Sequence, residues 1–279
     1  MVPMRPVPLM VLRHGAQMPQ LGLGTWPMSD REAERAIVSA AEVGYRLFDT
    51  AYAYGNEEGV GRGLAACGVP REELFVTTKL DGPWHGVEGV QEAWAASAKR
   101  LRVDYVDLFL IHWPLPRQDR YVDAVRGLAK LLEDGRVRAF GGSNFKPAHL
   151  DRVLAESGIV PDVDQIQLSP YTTRDEARAY HAAHGIVTQS WSPLGLGREL
   201  LREPVIVEIA ARHERSAAQV VLRWHIQLGL SAVPKSAKAQ RMRENIEVYD
   251  FELSDAEVAA LSALDRGEEF AEDSDVIGH

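Results

Sequence analysis

From about residue 21 almost to its end, the chain alternates between two hydrophobic periods. Short apolar runs of strand length fall at residues 21–24, 46–48, 74–79, 105–111, 137–141, 163–168, 186–191 and 230–233. Between them lie longer stretches in which apolar positions recur at helical spacing, at 29–43, 57–66, 87–101, 121–132, 147–155, 175–184, 203–213 and 216–228. Ser29 with Glu32, and Ser216 with Gln219, are capping-box pairs that mark two of the helix starts. Ahead of the alternation, residues 8–12 and 16–19 flank a His14-Gly15 turn and predict a short hairpin.

Strands that alternate with helices imply parallel pairing through crossover connections, and eight of them suit closure into a barrel. The expected fold is α/β, a (β/α)8 TIM barrel with a short N-terminal β-hairpin. No linker-like stretch divides the chain, so residues 1–279 are expected to form one domain. Residues 1–19 would be an N-terminal segment with the hairpin, and 266–279 a C-terminal tail. The acidic run 268–275 predicts a loose, solvated tail rather than a metal site.

Composition narrows the function. With 46% hydrophobic and 25% charged residues the chain has ample core and little disorder signature. Its net charge of −9 disfavours nucleic acid and anionic membranes, whose phosphates it would repel. No apolar stretch approaches the ~18 residues of a membrane span. Pro3, Pro6 and Pro8 interrupt the N-terminal segment, which lacks a secretory pattern. The single cysteine, Cys67, cannot form an intrachain disulfide and reads as a small apolar residue. A cytoplasmic protein is the expectation. Gly59, Gly61 and Gly63 have the wrong spacing for a dinucleotide loop and lie inside a helical pattern.

A parallel barrel gathers the C-terminal ends of its strands at one mouth. There the chain places Asp49 and Tyr54, Lys79, His112, Ser143 and Asn144, Gln165, Trp191 and Lys235. Taken singly, Asp49 is a helix-approach cap, Tyr54 a loop aromatic, Lys79 a surface lysine and His112 a core histidine. Lys79 and His112 each directly follow an apolar strand, however, and the conjunction favours a site. A phenol titrates near ~10. A neighbouring ammonium would lower that value, and a carboxylate would hold the ammonium charged and oriented. Tyr54 then becomes a proton donor to a carbonyl oxygen, with Asp49 steadying Lys79 and His112 orienting the substrate or relaying the proton. No metal is called for.

These residues, with the motifs around them, resemble the aldo-keto reductases, NAD(P)(H)-dependent enzymes on an α/β barrel. The motifs are Gln20-Leu-Gly-Leu-Gly-Thr25, Gly44-Tyr-Arg-Leu-Phe-Asp-Thr-Ala51, Tyr54-Gly-Asn-Glu57, Thr77-Thr-Lys79, Leu110-Ile-His-Trp-Pro114, Gly141-Gly-Ser-Asn-Phe145, Pro234-Lys-Ser236 and Glu244-Asn245. Trp191-Ser-Pro-Leu-Gly195 and Leu222-Arg-Trp-His225 are similar to the bacterial branch that includes 2,5-diketo-gluconate reductase. The resemblance implies that Asp49, Tyr54, Lys79 and His112 are a catalytic tetrad with Tyr54 as the acid. It implies that Ser143, Asn144 and Gln165 bond the nicotinamide carboxamide, that Trp191 stacks on the ring, and that Ser192, Leu194 and Gly195 lie along the pyrophosphate. Trp191 as a plain core aromatic is the weaker reading.

In a chain of net −9, the basic cluster Lys235, Lys238, Arg241 and Arg243 suits an adenosine 2′-phosphate and hence NADPH/NADP+. Lys235, Ser236 and Arg241 are assigned to it, Asn245 to the adenine. Lys238 and Arg243 are equally a surface charge cluster. Trp26, Trp84 and Trp113 are expected to wall the pocket of a small-molecule carbonyl substrate. The chain departs from the family pattern at Asp164, at Gln167-Leu-Ser169-Pro170 and at Asp81, which stands where related reductases often have Trp. A monomer is expected. Two alternatives remain: a non-catalytic NADP-binding subunit of this type, and an aldolase-like barrel with Lys79 as a Schiff-base lysine.

Overall fold

The computed structural model describes residues 6–195 and 199–279. β1 (Leu9–Val11) and β2 (Gln17–Pro19) form the antiparallel hairpin. Eight parallel strands follow: β3 (Leu23–Gly24), β4 (Leu47–Asp49), β5 (Phe75–Leu80), β6 (Val106–Ile111), β7 (Val137–Ser143), β8 (Val163–Gln167), β9 (Val187–Trp191) and β10 (Ser231–Ala232). Each pairs with its sequence neighbour. Parallel bridges Leu21 to Ala232 and Gly24 to Lys235 join the first strand to the last, so the sheet closes on itself. The expected (β/α)8 barrel and hairpin are both present.

The crossover helices are α1 (Asp30–Glu42), α2 (Glu57–Ala66), α3 (Val87–Leu101), α4 (Tyr121–Glu133), α5 (Pro147–Ser157), α6 (Asp175–His184), α7 (Pro204–His213) and α8 (Ala217–Gln227). Their apolar stripes pack on the outer face of the barrel, as Ile37, Val60, Val90, Leu128 and Leu150 do against Phe48, Val76 and Phe109. Inside, Leu47, Phe75, Leu108, Leu110 and Val163 fill the barrel interior, and Leu12, Ala16 and Met18 of the hairpin pack onto them as a floor. A filled floor leaves the opposite end as the place for a cavity.

Two helices were missed by the sequence pattern. α9 (Ala239–Ile246) buries only Met242, Asn245 and Ile246 under a polar face. α10 (Asp255–Ser262) starts from a capping box in which Glu257 N–H donates to Ser254 Oγ, and Ser254 N–H to the Glu257 carboxylate.

The tail is not loose. Lys146 Nζ bridges Asp273 and Asp275, each at 2.6 Å, His149 Nε2 meets Asp275 at 2.8 Å, and the Glu272 N–H donates to Gln167 Oε1 at 2.9 Å. Ser274 is buried, and the Gly82 N–H donates to the His279 carbonyl at 3.1 Å. The tail thus crosses the barrel mouth from the end of β8 to the end of β5, held by the Lys146 ammonium just before α5 and by His149 in its first turn.

The glycines of α2 have a packing role instead of a nucleotide role. A Cβ on Gly61 would meet the Arg100 carbonyl oxygen at 2.7 Å, and one on Gly59 would run into the backbone of Asp30, so α2 sits tightly between α1 and α3. Gly59→Ala is therefore expected to destabilise the fold by about 2 kcal/mol or more, read as a lowered thermal midpoint with the tetrad residues untouched.

Candidate active site

Asp49 ends β4, and the backbone then turns through a short helical segment that brings Tyr54 back over the strand ends. Lys79 lies near the end of β5, paired in register with Leu110 of β6, and His112 follows β6 directly. The four side chains meet. Lys79 Nζ donates to Asp49 Oδ1 at 2.7 Å, to the Thr50 carbonyl at 2.9 Å and to Tyr54 Oη at 3.3 Å. The Tyr54 and His112 rings stand edge to face with centroids 5.7 Å apart. Lys79 is fully buried, whereas Tyr54 is only half-buried and faces a cavity of about 440 Å³.

Burial opposes the Lys79 ammonium, but the charge of Asp49 and the hydrogen bonds to Asp49 and Tyr54 outweigh it, and the lysine is held charged. Tyr54 differs from the sequence expectation. Burial pushes the phenol above its ordinary value, and the charge of Asp49 adds to the rise; Lys79 tempers it without reversing it. The phenol is therefore kept protonated, an acid carrying its proton rather than a phenolate. Burial depresses His112 to about 4, with Lys79 acting in the same direction and the Asp81 hydrogen bond against it, so the imidazole is neutral at pH 7.

The residues assigned to the nicotinamide surround the same cavity, but their polar groups are already engaged. Gln165 Nε2 donates to Asp49 Oδ2 at 2.8 Å and to Gln189 Oε1 at 2.6 Å. Asn144 Nδ2 donates to the His112 carbonyl and to Ser143 Oγ, each at 3.1 Å, and Asn144 Oδ1 accepts from Trp191 Nε1 at 2.8 Å. Ser143 Oγ donates to the Gln165 carbonyl at 2.8 Å. Gln165 thus holds the free oxygen of Asp49, and Asn144 fixes the indole of Trp191 at the cavity wall. Asn144, which holds that indole, and Ser192, which follows Trp191 in the chain, both adopt left-handed backbone.

Lys235 and Ser192 line the cavity, while Leu194, Gly195, Ser236, Arg241 and Asn245 lie beyond its wall. Lys235, Lys238, Arg241 and Arg243 are exposed beside or on α9 and form no ion pair among the described residues. An acidic chain that salt-bridges many of its other cations leaves this group free, and the donor set fits a phosphate. Trp26 and Trp113 line the cavity; Trp84 does not. It packs edge-on against Tyr52, with centroids 4.4 Å apart, outside the lining.

Several contributors had no role assigned from the sequence. Gln189 extends the buried polar chain from Asp49 and Gln165 to Ser231 Oγ at 2.9 Å. Asn56 ties the loop down, accepting from Thr50 Oγ1 at 2.7 Å and donating to the Thr25 and Met28 carbonyls. Glu57 is buried and accepts from Thr78 Oγ1 and Arg100 Nε, each at 2.6 Å. Glu272 and His279 of the tail line the cavity, and Asp81 Oδ1 meets His112 Nδ1 at 3.0 Å. A polar residue inside a strand was the only available signal for Gln189.

The profile of the Aldo/keto reductase family matches residues 19–266. The chain is 46% identical to methylglyoxal reductase DkgA of Yersinia pestis over 273 residues, 97% of this chain and 98% of that one. Among solved structures, an aldo/keto reductase from Brucella melitensis superposes with TM-score 0.89 at 44% identity, covering 93% of this chain and 100% of that one. A mutant of Gox0644 in complex with NADPH gives TM-score 0.93 at 39% identity, covering 99% and 100%.

Removing the carboxylate of Asp49 would strand a buried ammonium. Asp49→Ala is expected to cost about 3–5 kcal/mol in folding stability, measured by urea unfolding, with Asp49→Asn costing less because the amide oxygen still accepts from Lys79.

Proposed function

This chain belongs to the aldo/keto reductase family and is an NAD(P)H-dependent oxidoreductase; from that premise we propose that it uses NADPH to reduce an aldehyde or ketone to an alcohol, with Tyr54 as the proton donor. The observation that carries this reading is the Lys79 ammonium, which touches both Asp49 and Tyr54 Oη beneath the cavity floor. A bound nicotinamide would supply the hydride that goes to the carbonyl carbon.

The protein side of the chemistry follows from the geometry. The carbonyl oxygen gains charge as the carbon is reduced, and Tyr54, protonated and facing the cavity, is the donor that meets it. Lys79, beside Oη, stabilises the phenolate left behind, and Asp49 and the Thr50 carbonyl keep that ammonium in place. Trp191, fixed by Asn144, offers a flat wall for a ring, and the free cations at α9 suit the 2′-phosphate of NADPH. Trp26 and Trp113 give the substrate end an apolar lining. The reverse oxidation uses the same groups with Tyr54 Oη as the base.

The Schiff-base alternative is opposed by the state of Lys79. A nucleophilic amine must be neutral and reachable, and this one is fully buried, held by three oxygen acceptors and pushed toward the charged form. A non-catalytic role leaves the assembled tetrad without a use. The accompanying reading is a cytoplasmic monomer; among the described residues no helix is long and apolar enough to cross a membrane.

Tyr54→Phe is expected to lower kcat for a generic aldehyde by about 10²-fold or more while NADPH quenching of protein fluorescence persists with little change in Kd; full activity in that variant would remove Tyr54 from its role. In Arg241→Ala the Kd for NADPH should rise by about tenfold, the scale of one lost charge-assisted hydrogen bond, with the Kd for NADH unchanged. An equal loss for both nucleotides would contradict the 2′-phosphate assignment.

A further inference from the structure

We propose that Asp81 is a positioning residue that fixes His112 in its Nδ1-protonated tautomer, so that Nε2 meets the substrate as a hydrogen-bond acceptor and the site favours carbonyls with a hydroxyl on the adjacent carbon. This deepens the reductase reading and rests on it.

The argument starts from the pair itself. Asp81 Oδ1 and His112 Nδ1 are 3.0 Å apart, and both residues are 6% exposed. A carboxylate accepts and does not donate, so the proton between them sits on Nδ1. A neutral imidazole has only one N–H, and the partner of one nitrogen sets the state of the other. Burial and the nearby Lys79 charge keep His112 neutral near pH 7, which leaves no second proton for Nε2.

Nε2 has no partner among the described residues, and His112 lines the cavity beside Tyr54. Asp81 itself is not part of the cavity wall and acts only through the ring. The tail holds this arrangement from the far side. His279 Nε2 lies 3.6 Å from the same Asp81 oxygen, and its ring stands edge-on to His112 with centroids 4.7 Å apart.

The consequence is a division of labour. A carbonyl oxygen only accepts and cannot bond to a lone pair on Nε2, so it turns to the Tyr54 hydroxyl, a donor. A hydroxyl on the next carbon can give its proton to Nε2 while the carbonyl oxygen accepts from Tyr54. A substrate with a methyl group at that position leaves Nε2 unpaired in a largely buried site, and a dicarbonyl sets an acceptor against an acceptor. Sites built to bond a hydroxyl discriminate strongly against analogues that lack it.

Hydroxyacetone and 2-butanone differ only by a hydroxyl in place of a methyl beside the carbonyl. With NADPH and the full chain, the ratio of their kcat/KM values is expected to be about tenfold larger in the wild type than in Asp81→Ala. Asp81→Asn, whose Oδ1 still accepts from Nδ1, should keep most of the selectivity. If Asp81 merely supports the fold, both substrates decline together and the ratio stays constant, which overturns the proposal. The ¹⁵N spectrum of His112 in the wild type should have a protonated Nδ1 and an unprotonated Nε2; the reverse pattern also overturns it. That spectrum needs no turnover. Loss of reduction for every carbonyl tried, including 4-nitrobenzaldehyde, would count against the reductase reading and leave the tautomer assignment standing on the spectrum.

Discussion

The ion pair of Lys79 with Asp49 is the constraint around which the mouth of the barrel is arranged. Two charges out of water are costly, and the pair is tolerable only where every remaining donor and acceptor is matched. The structure meets that condition from the end of β4 and from β8, β9 and β10. Thr50 lends its carbonyl to Lys79, Gln165 from β8 covers the second oxygen of Asp49, and Gln189 and Ser231 continue the line toward the last strand. Asp49, Tyr54 and Gln165 line the cavity, whereas Lys79, Gln189 and Ser231 stand behind them. Chemistry at the site therefore depends on residues that no substrate would touch.

The same condition explains why the loop after β4 is pinned so firmly. Asn56 is fully buried and uses its amide to hold the backbone of residues 25 and 28, while Glu57 anchors the start of α2 to β5 and α3. A phenol placed by a mobile loop could not stay within reach of the ammonium. At the opposite side of the mouth the tail adds its own layer. Its acidic residues would repel one another and the rest of an acidic chain, yet the Lys146 ammonium lies between Asp273 and Asp275 while His149 hydrogen-bonds Asp275, and Glu272 and His279 become cavity wall.

Much of this was legible in the sequence because it rests on local pattern. Eight strands and eight crossover helices follow from period and capping, and a closed parallel barrel then forces Asp49, Tyr54, Lys79 and His112 together. What stayed hidden depends on contacts between distant residues. The acidic run at 268–275 looks solvated until Lys146 is placed beside it. Trp84 and Trp113 are alike in sequence, and only packing separates the one that lines the cavity from the one that packs against Tyr52. The direction of the Tyr54 shift was misread for the same reason: proximity to Lys79 could be inferred, but not that burial would exceed it. α9 has too few apolar positions to declare a period, and its basic residues dominated the reading.

Asp81 joins these two kinds of information. The sequence marks it as a departure from related reductases, in which Trp often stands there, and the structure supplies the reason that the departure matters. An indole at that position could not accept a proton from His112 Nδ1; a buried carboxylate at 3.0 Å does. The tetrad can thus be intact in all four residues and still differ in the polarity it presents to a substrate. Tyr54 is kept protonated by burial, and His112 is kept neutral by burial with its single proton committed to Asp81. One environment has therefore produced a donor and an acceptor side by side, and the selectivity of the pocket lies in that pairing as much as in its aromatic walls.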